Sequence, residues 1–501
     1  MTRTVALLLL AAAFLAPGRA RAQGPASLPS APAPRCQPDA SILSVKRPAG
    51  SEWFGLYLRD KKAGWLRTDI SLEERGGGPV LVTRQEMTIE AKVGPRTVRR
   101  GQTDEKVYEA RPAGRLLSYR SERVGDGGDR KTELVCGAKT CRATLTAEDG
   151  TRTREMKLPP ETVEQADAAR LAVLRCGEVA GAQVELEQLR VKQMRDRFVA
   201  RTALGGAGVT VPVAEVEEME DGDRIAARIF IAEDGRTLEF RYGDALVAKA
   251  EPEEIARRTD TVDLFNLSRV ALPGPLPRDV PMAITFTVKG LPRTFLGEDA
   301  RQVARPGPDG DTLLTVTARR PAADDPARDV PRLRPDPGGG EDLEATPEVD
   351  WDHPDIRALA ERIAGKTPGR WAAARKLSRE VYRRIAKVYG ESRDRASEVL
   401  HTGRGDCTEH ALLFVALARA AGIPARGVHG LVYANYGDGG AGLYWHAWAE
   451  VKVGEEWIPV DPTFDEDVAD ATHIALGRGT KVDAVGLIGS LSVTRAEARP
   501  L

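Results

Sequence analysis

The sequence predicts a multidomain chain in which an antiparallel β-rich N-terminal region precedes a C-terminal α+β core. Three observations predict it. Between residues 51 and 320, short alternating apolar runs are punctuated by glycine-rich or Asp-Gly turns, the pattern of antiparallel hairpins. Residues 321–350 are then rich in Pro, Asp and Gly, as linkers are. Beyond 351 the apolar period changes to three or four, and strand-like runs return only after several helices. Helices first and strands afterwards make an α+β domain, not an alternating sheet.

The chain has 501 residues, material for about two to four domains. Its formal net charge is −1, so it lacks the basic field of a nucleic-acid binder. Arg3, the apolar run Val5 to Leu15, the break at Pro17-Gly18 and the small-residue site Ala20-Arg21-Ala22 read as a signal peptide over residues 1–22, too short for a comfortable membrane span. The expectation is an exported protein, periplasmic or extracellular, with no membrane span once the signal is removed. Residues 23–50, rich in Pro, Ala and Ser at the start, read as a disordered tether.

The β-rich region is expected over 51–320, with a possible division near 255. Strand-like runs are Trp53 to Leu58, Gly64 to Thr68, Val80 to Ile89, Leu116 to Arg123, Cys141 to Thr146, Val184 to Val191, Ile225 to Ile231 and Thr237 to Arg241. An Ala-, Leu- and Val-rich stretch from Glu161 to Arg175 predicts one helical insertion. A later β-rich stretch, Leu264 to Arg319, is either a small module or the end of the first sheet. In the core, expected over 351–480, a helix starts near Pro354, where a first turn tolerates proline. Leu377, Val381, Ile385 and Val388 step along a second, and Ala396 to Leu400 gives a third. A fourth runs from Cys407 to Ala421 and stops at Gly422-Ile423-Pro424. Strands follow at Arg426 to Tyr433, Tyr444 to Val453 and Trp457 to Val460. Residues 481–501 read as a tail.

The five cysteines are Cys36, Cys136, Cys141, Cys176 and Cys407. In an oxidising compartment an odd count leaves one thiol over. Cys136 and Cys141 flank a turn-like spacer that suits a hairpin disulfide; Cys36 and Cys176 either form the second pair or stay as thiols. That arithmetic leaves Cys407 free. Asp406 is an N-cap with Glu409 in capping-box spacing, which puts Cys407 in the first helical turn. There the helix dipole favours the thiolate and the two carboxylates disfavour it, so a histidine is needed to tip the balance.

All six histidines lie at or beyond residue 353. His446 shares a strand face with Trp448, and Asp461 ends the next strand just before Pro462. A carboxylate there holds an imidazole in one tautomer. A tight hairpin at Gly454-Glu455-Glu456 sets Asp461 nearer Ala449 than His446, an offset of about 10 Å at ~3.3 Å per residue, which twist, a bulge or another loop has to close. His410, three residues beyond Cys407, is a rival base. His353, His401, His429 and His473 read as structural or surface residues. Candidate donors to an oxyanion, if a thiol attack takes place here, are the Cys407 backbone N–H and, more weakly, the Trp445 indole.

The segments Gly405-Asp406-Cys407-Thr408-Glu409-His410, His446-Ala447-Trp448-Ala449-Glu450-Val451 and Trp457-Ile458-Pro459-Val460-Asp461-Pro462-Thr463 resemble the transglutaminase-like superfamily. Asp470-Ala471-Thr472-His473-Ile474 also looks like its bacterial members. The resemblance implies a papain-like core with Cys407 as nucleophile, His446 as base then acid, and Asp461 as orienter. It implies a thioester on a protein or peptide amide, resolved by an amine or by water, with no cofactor. Animal cross-linkers of the family use calcium. The acidic residues Asp465, Glu466, Asp467 and Asp470 match no trusted calcium loop, and read as a solvated acidic loop. The competing expectation is an envelope binding or assembly protein with an idle core.

Overall fold

The computed structural model describes residues 36–318, 340–479 and 491–500, apart from breaks of one to four residues within those ranges. The expected signal peptide, residues 23–35 of the expected tether, residues 321–339 of the expected linker and residues 481–490 and 501 of the expected tail lie outside the described residues.

Fourteen strands between Glu52 and Ala250 form one antiparallel sheet. It is two meanders joined at a seam, where the first strand, Glu52–Leu58, pairs with the last, Leu246–Ala250. Several of its strands alternate buried and exposed positions, so one face carries the core. Phe54, Leu56, Met87, Ile89, Val216, Ile229 and Phe240 fill one cluster, and Ile42, Leu81, Tyr108, Leu134 and Leu171 another. The expected helical insertion is a 3₁₀ turn, Val163–Asp167, running into the helix Ala168–Arg175, which packs against both clusters.

Four expectations are corrected here. Residues 36–50 are not a tether: Cys36 bonds to Cys176, Ile42 is fully buried, and Arg47 holds Asp167 at 2.7 Å. The run Val184 to Val191 is not one strand but the meeting of two, Glu178–Glu185 and Arg190–Gly206, paired in register at Glu185 and Arg190. Residues 340–350 pack on the core through Leu343 and Val349. Residues 492–500 are not a tail: Ser492–Pro500 pairs with Met282–Lys289 as a strand of a second, four-stranded sheet. Its two remaining strands are Gln302–Pro306 and Thr312–Thr317, so these strands form a sheet apart from the first, and its core is shared with Leu431, Leu443 and Ile474.

In the core, helices Pro354–Ala364, Arg370–Arg384, Ala396–Thr402 and Cys407–Ala420 precede a sheet ordered Glu456–Val460, Ala441–Val453, Ala425–Asn435, Ile474–Arg478. The second helix ends earlier than its apolar spacing predicts. Ile385 is already extended, and Ala386–Lys387 instead makes a short parallel pair with Arg404–Gly405. The last helix is buried along nearly all its length, with Leu413, Phe414 and Leu417 inaccessible. Each such side chain stabilises the packing by about 2 kcal/mol. That helix lies against Ala449 and Val451 of the central strand, which fixes its N-terminus relative to the sheet.

Candidate active site

Asp406 caps the buried helix in a full capping box: its carboxylate takes the Thr408 N–H at 3.1 Å, and Glu409 Oε2 takes the Asp406 N–H at 2.8 Å. Cys407 is thus the first helical residue, and it is the free cysteine. Cys136 pairs with Cys141 and Cys36 with Cys176, the arithmetic that leaves it over. The strand Glu456–Val460 covers Ala441–Val453 only from Ala449 to Val453. The Ala447 N–H is therefore not claimed by that neighbour, and it lies close enough to the Cys407 sulfur to favour the thiolate. Burial pushes the thiol well above its usual range, and the Asp406, Glu409 and Asp461 carboxylates add to this, while the Ala447 N–H opposes them.

His446 Nε2 lies 2.7 Å from Asp461 Oδ2, with both side chains buried. The offset expected from the hairpin is smaller than the sequence suggests. Val460 pairs with Ala449, so Asp461 falls diagonal to His446, two positions along one face, a gap that side chains span. No register shift is needed between these two strands. Gly430 stands opposite His446, and a Cβ there would lie 1.9 Å from the Ile474 carbonyl oxygen. Only glycine lets the third strand close in at that point. Phe464 stacks on the His446 ring, with centroids 4.8 Å apart.

Asp461 is saturated with donors. Oδ1 accepts the Thr463 and Phe464 N–H groups at 2.7 and 3.2 Å, and Oδ2 faces His446 and, at 3.1 Å, His473 Nε2. Burial alone would raise its pKa, but the two imidazoles hold this carboxyl far below the usual range. His473, expected to be structural or superficial, is the residue that sequence reasoning missed. It is fully buried, and its Nδ1 lies 3.0 Å from Asp470 Oδ1. Burial opposes its charge, yet the hydrogen bonds to Asp461 and Asp470 win and push its pKa up to about 9. The Asp470-Ala471-Thr472-His473 motif was the available signal.

The acidic loop is also corrected, because Glu466 and Asp470 are buried and Asp467 pairs with Arg375 and Arg379. Glu466, Asp470 and His473 bring one ligand atom each within 4.8 Å. This set does not suit a cation, since both His473 nitrogens face carboxylate oxygens as donors. Arg301 of the second sheet holds the carbonyls of Ala469 and His473 at 3.0 and 3.2 Å, so that module buttresses the loop.

His410, the rival base, is buried with Nδ1 2.6 Å from the Asp406 carbonyl of its own helix. Burial lowers its pKa, and no carboxylate hydrogen-bonds it among the described residues. Of the other histidines, His429 is driven down to about 4 by burial and by the charge of His446. Trp445 lies on the strand face that carries Ala447, and its indole nitrogen is buried without a hydrogen-bond partner.

Residues 357–462 match the model of the transglutaminase-like superfamily. This segment is a transglutaminase-like domain. The matched stretch contains Cys407, His446 and Asp461. Among solved structures, the chain is similar to a candidate cysteine protease from Cytophaga hutchinsonii, at 18% identity over 46% of this chain and 84% of that one, with a TM-score of 0.28. It is similar to a β-barrel-like protein of a domain of unknown function from Brucella abortus, at 10% identity over 40% and 94%, TM-score 0.25. A candidate protease from Parabacteroides distasonis matches at 13% identity over 74% and 65%, TM-score 0.19. No curated protein matches.

Proposed function

We propose that the protein is an exported thiol enzyme that forms a thioester on a protein or peptide amide and resolves it with an amine or water. The observation that carries this reading is the buried His446–Asp461 pair, next in the strand to Ala447, whose N–H favours the thiolate of the free Cys407. His446 presents Nε2 to Asp461, which leaves Nδ1 to take the thiol proton. Burial and the neighbouring carboxylates favour the Cys407 thiol over the thiolate, so its proton leaves as the sulfur attacks the amide carbon. The oxyanion is met by the Cys407 backbone N–H, the first orphan donor of its helix. The buried, unpartnered Trp445 indole is the second donor. The intermediate collapses, the C–N bond breaks, and His446 returns the proton to the departing amine. Water or a second amine then attacks the thioester with His446 again as base. Asp461, held ionised by His473, orients the ring and stabilises its charged form.

Incubation with a proteome and a labelled primary amine, with ammonia release followed in parallel, tests this. Label on protein identifies transfer, and ammonia without label identifies hydrolysis. If Cys407→Ala behaves like wild type in both arms, the reading is wrong and the envelope-binding alternative takes its place.

A further inference from the structure

One stretch of the core is gripped from two sides. On its inner side, Ala386 and Val388 donate N–H to the carbonyls of Gly403 and Gly405, at 2.8 and 2.9 Å. The Gly390 N–H reaches Asp406 Oδ2 at 3.3 Å, and the Arg393 N–H reaches Glu409 Oε1 at 3.0 Å. Two backbone donors are thus aimed at the two carboxylates that flank Cys407.

The outer side meets the N-terminal sheet. Arg100, itself buried, donates from Nε to the Asp126 carbonyl and from Nη2 to the Gly390 carbonyl, both at 2.8 Å. Arg123 reaches Asp394 at 2.9 Å. Arg130 holds the same carboxylate and both oxygens of Glu398, the latter at 2.9 and 2.7 Å. Burial would raise the Asp394 pKa, but Arg123, Arg130 and Arg100 hold it down. The approach is close at Gly390, where φ is +77° and a Cβ would stand 2.3 Å from Val98. A surface that only tethers two domains does not need a buried arginine on a backbone carbonyl of the partner's loop. The guanidinium of Arg100 is also within electrostatic reach of Glu409 and Asp406.

We propose that the N-terminal β-sheet is a positioning element for the nucleophile: its arginines clamp Gly390, Asp394 and Glu398, and the strap that carries them fixes the turn before Cys407 and the carboxylates that flank it. The inference rests on the reading of Cys407 as nucleophile. Without the clamp, the strap N–H groups leave Asp406 and Glu409, whose charge then bears on the sulfur with less compensation. A ligand that drew the sheet off the strap would lower the reactivity of the thiol, which gives the β-rich region a route to control it.

The test follows iodoacetamide alkylation of Cys407 against pH in the full chain. Wild type is compared with Arg100→Gln, with Arg123→Gln/Arg130→Gln, and with Arg142→Gln as an exposed control on the same sheet. The expected result is alkylation slowed by about fivefold or more at neutral pH in both clamp variants, the lower end of measured site-to-site couplings. The profile moves to higher pH, hydrogen exchange at the Gly390 and Arg393 amides quickens, and the control is unchanged. Where Arg100→Gln does not fold, Arg100→Lys, which keeps the charge but loses the two-way fork, is expected to slow alkylation likewise. Folded clamp variants with the wild-type profile overturn the proposal. If wild-type Cys407 reacts no faster than in His446→Ala, the nucleophile reading has failed instead.

Discussion

The N-terminal region spreads its charge between exposed strand faces and scattered buried pairs such as Lys106–Glu161 and Lys192–Glu220, whereas the core gathers buried charge around one site. On the sheet, ion pairs such as Arg142–Glu155 and Arg120–Glu122 sit on exposed strand faces, where each contributes little. In the core, Asp461, His473 and Asp470 are buried and joined through the His473 ring, and Glu409 is buried on two backbone N–H groups. Burial makes each of those charges depend on its partners. The contrast teaches where mutations should hurt: on the sheet through the cross-links and the clamp, in the core through single carboxylates.

The sharpest way to break the contrast is Cys407→Ala. It should lower any amide-directed activity at least about 10³-fold, with the thermal midpoint nearly unchanged. Next is Asp461→Asn, which leaves two buried imidazoles facing an amide. Activity should fall about 10²- to 10⁴-fold, and stability by about 3 kcal/mol or more, read by denaturant unfolding. The corresponding sheet test is Cys36→Ser/Cys176→Ser, which opens a link of sequence separation 140. Its cost should be about 2–5 kcal/mol, read as earlier unfolding of the β-rich region.

His473 gives a pH test of the core alone. Its folded pKa, about 9, lies above the unfolded value of 6.5. The stability it adds is therefore fully present below about pH 6.5 and is lost as pH rises through 9. The loss is at most about 3 kcal/mol. Unfolding curves from pH 6 to 10 should show this slope in wild type and a flatter one in His473→Gln. The smallest effect is expected on the sheet surface, where Arg142→Gln should change stability by under ~0.5 kcal/mol.

Much of the core was legible because its chemistry is local in sequence. Asp406 and Glu409 announce the cap, and Cys407 is the cysteine left over by count. His446 and Asp461 lie on neighbouring strands. His473 was not legible from its own surroundings, since its partners Asp461 and Asp470 are assembled by a turn and by Arg301 of a distant module. The strand Arg96–Glu109 was overlooked because its face pattern is written in Arg, Gln and Asp, with Arg100, Gln102 and Asp104 buried by pairing. The packing of residues 36–50 was hidden because their apolar residues, Ile42, Leu43 and Val45, form no strand- or helix-period run and their anchor is a bond to Cys176. The last strand, Ser492–Pro500, pairs with residues some 200 positions earlier, and its charged sequence carries no apolar alternation.

The central claim is that His446 takes the proton from Cys407. Its most direct measure is the rate at which Cys407 is alkylated in wild type and in His446→Ala at neutral pH, mapped by peptide mass spectrometry. The account predicts at least a tenfold slower reaction in the variant, with its fold intact. Equal rates would contradict it.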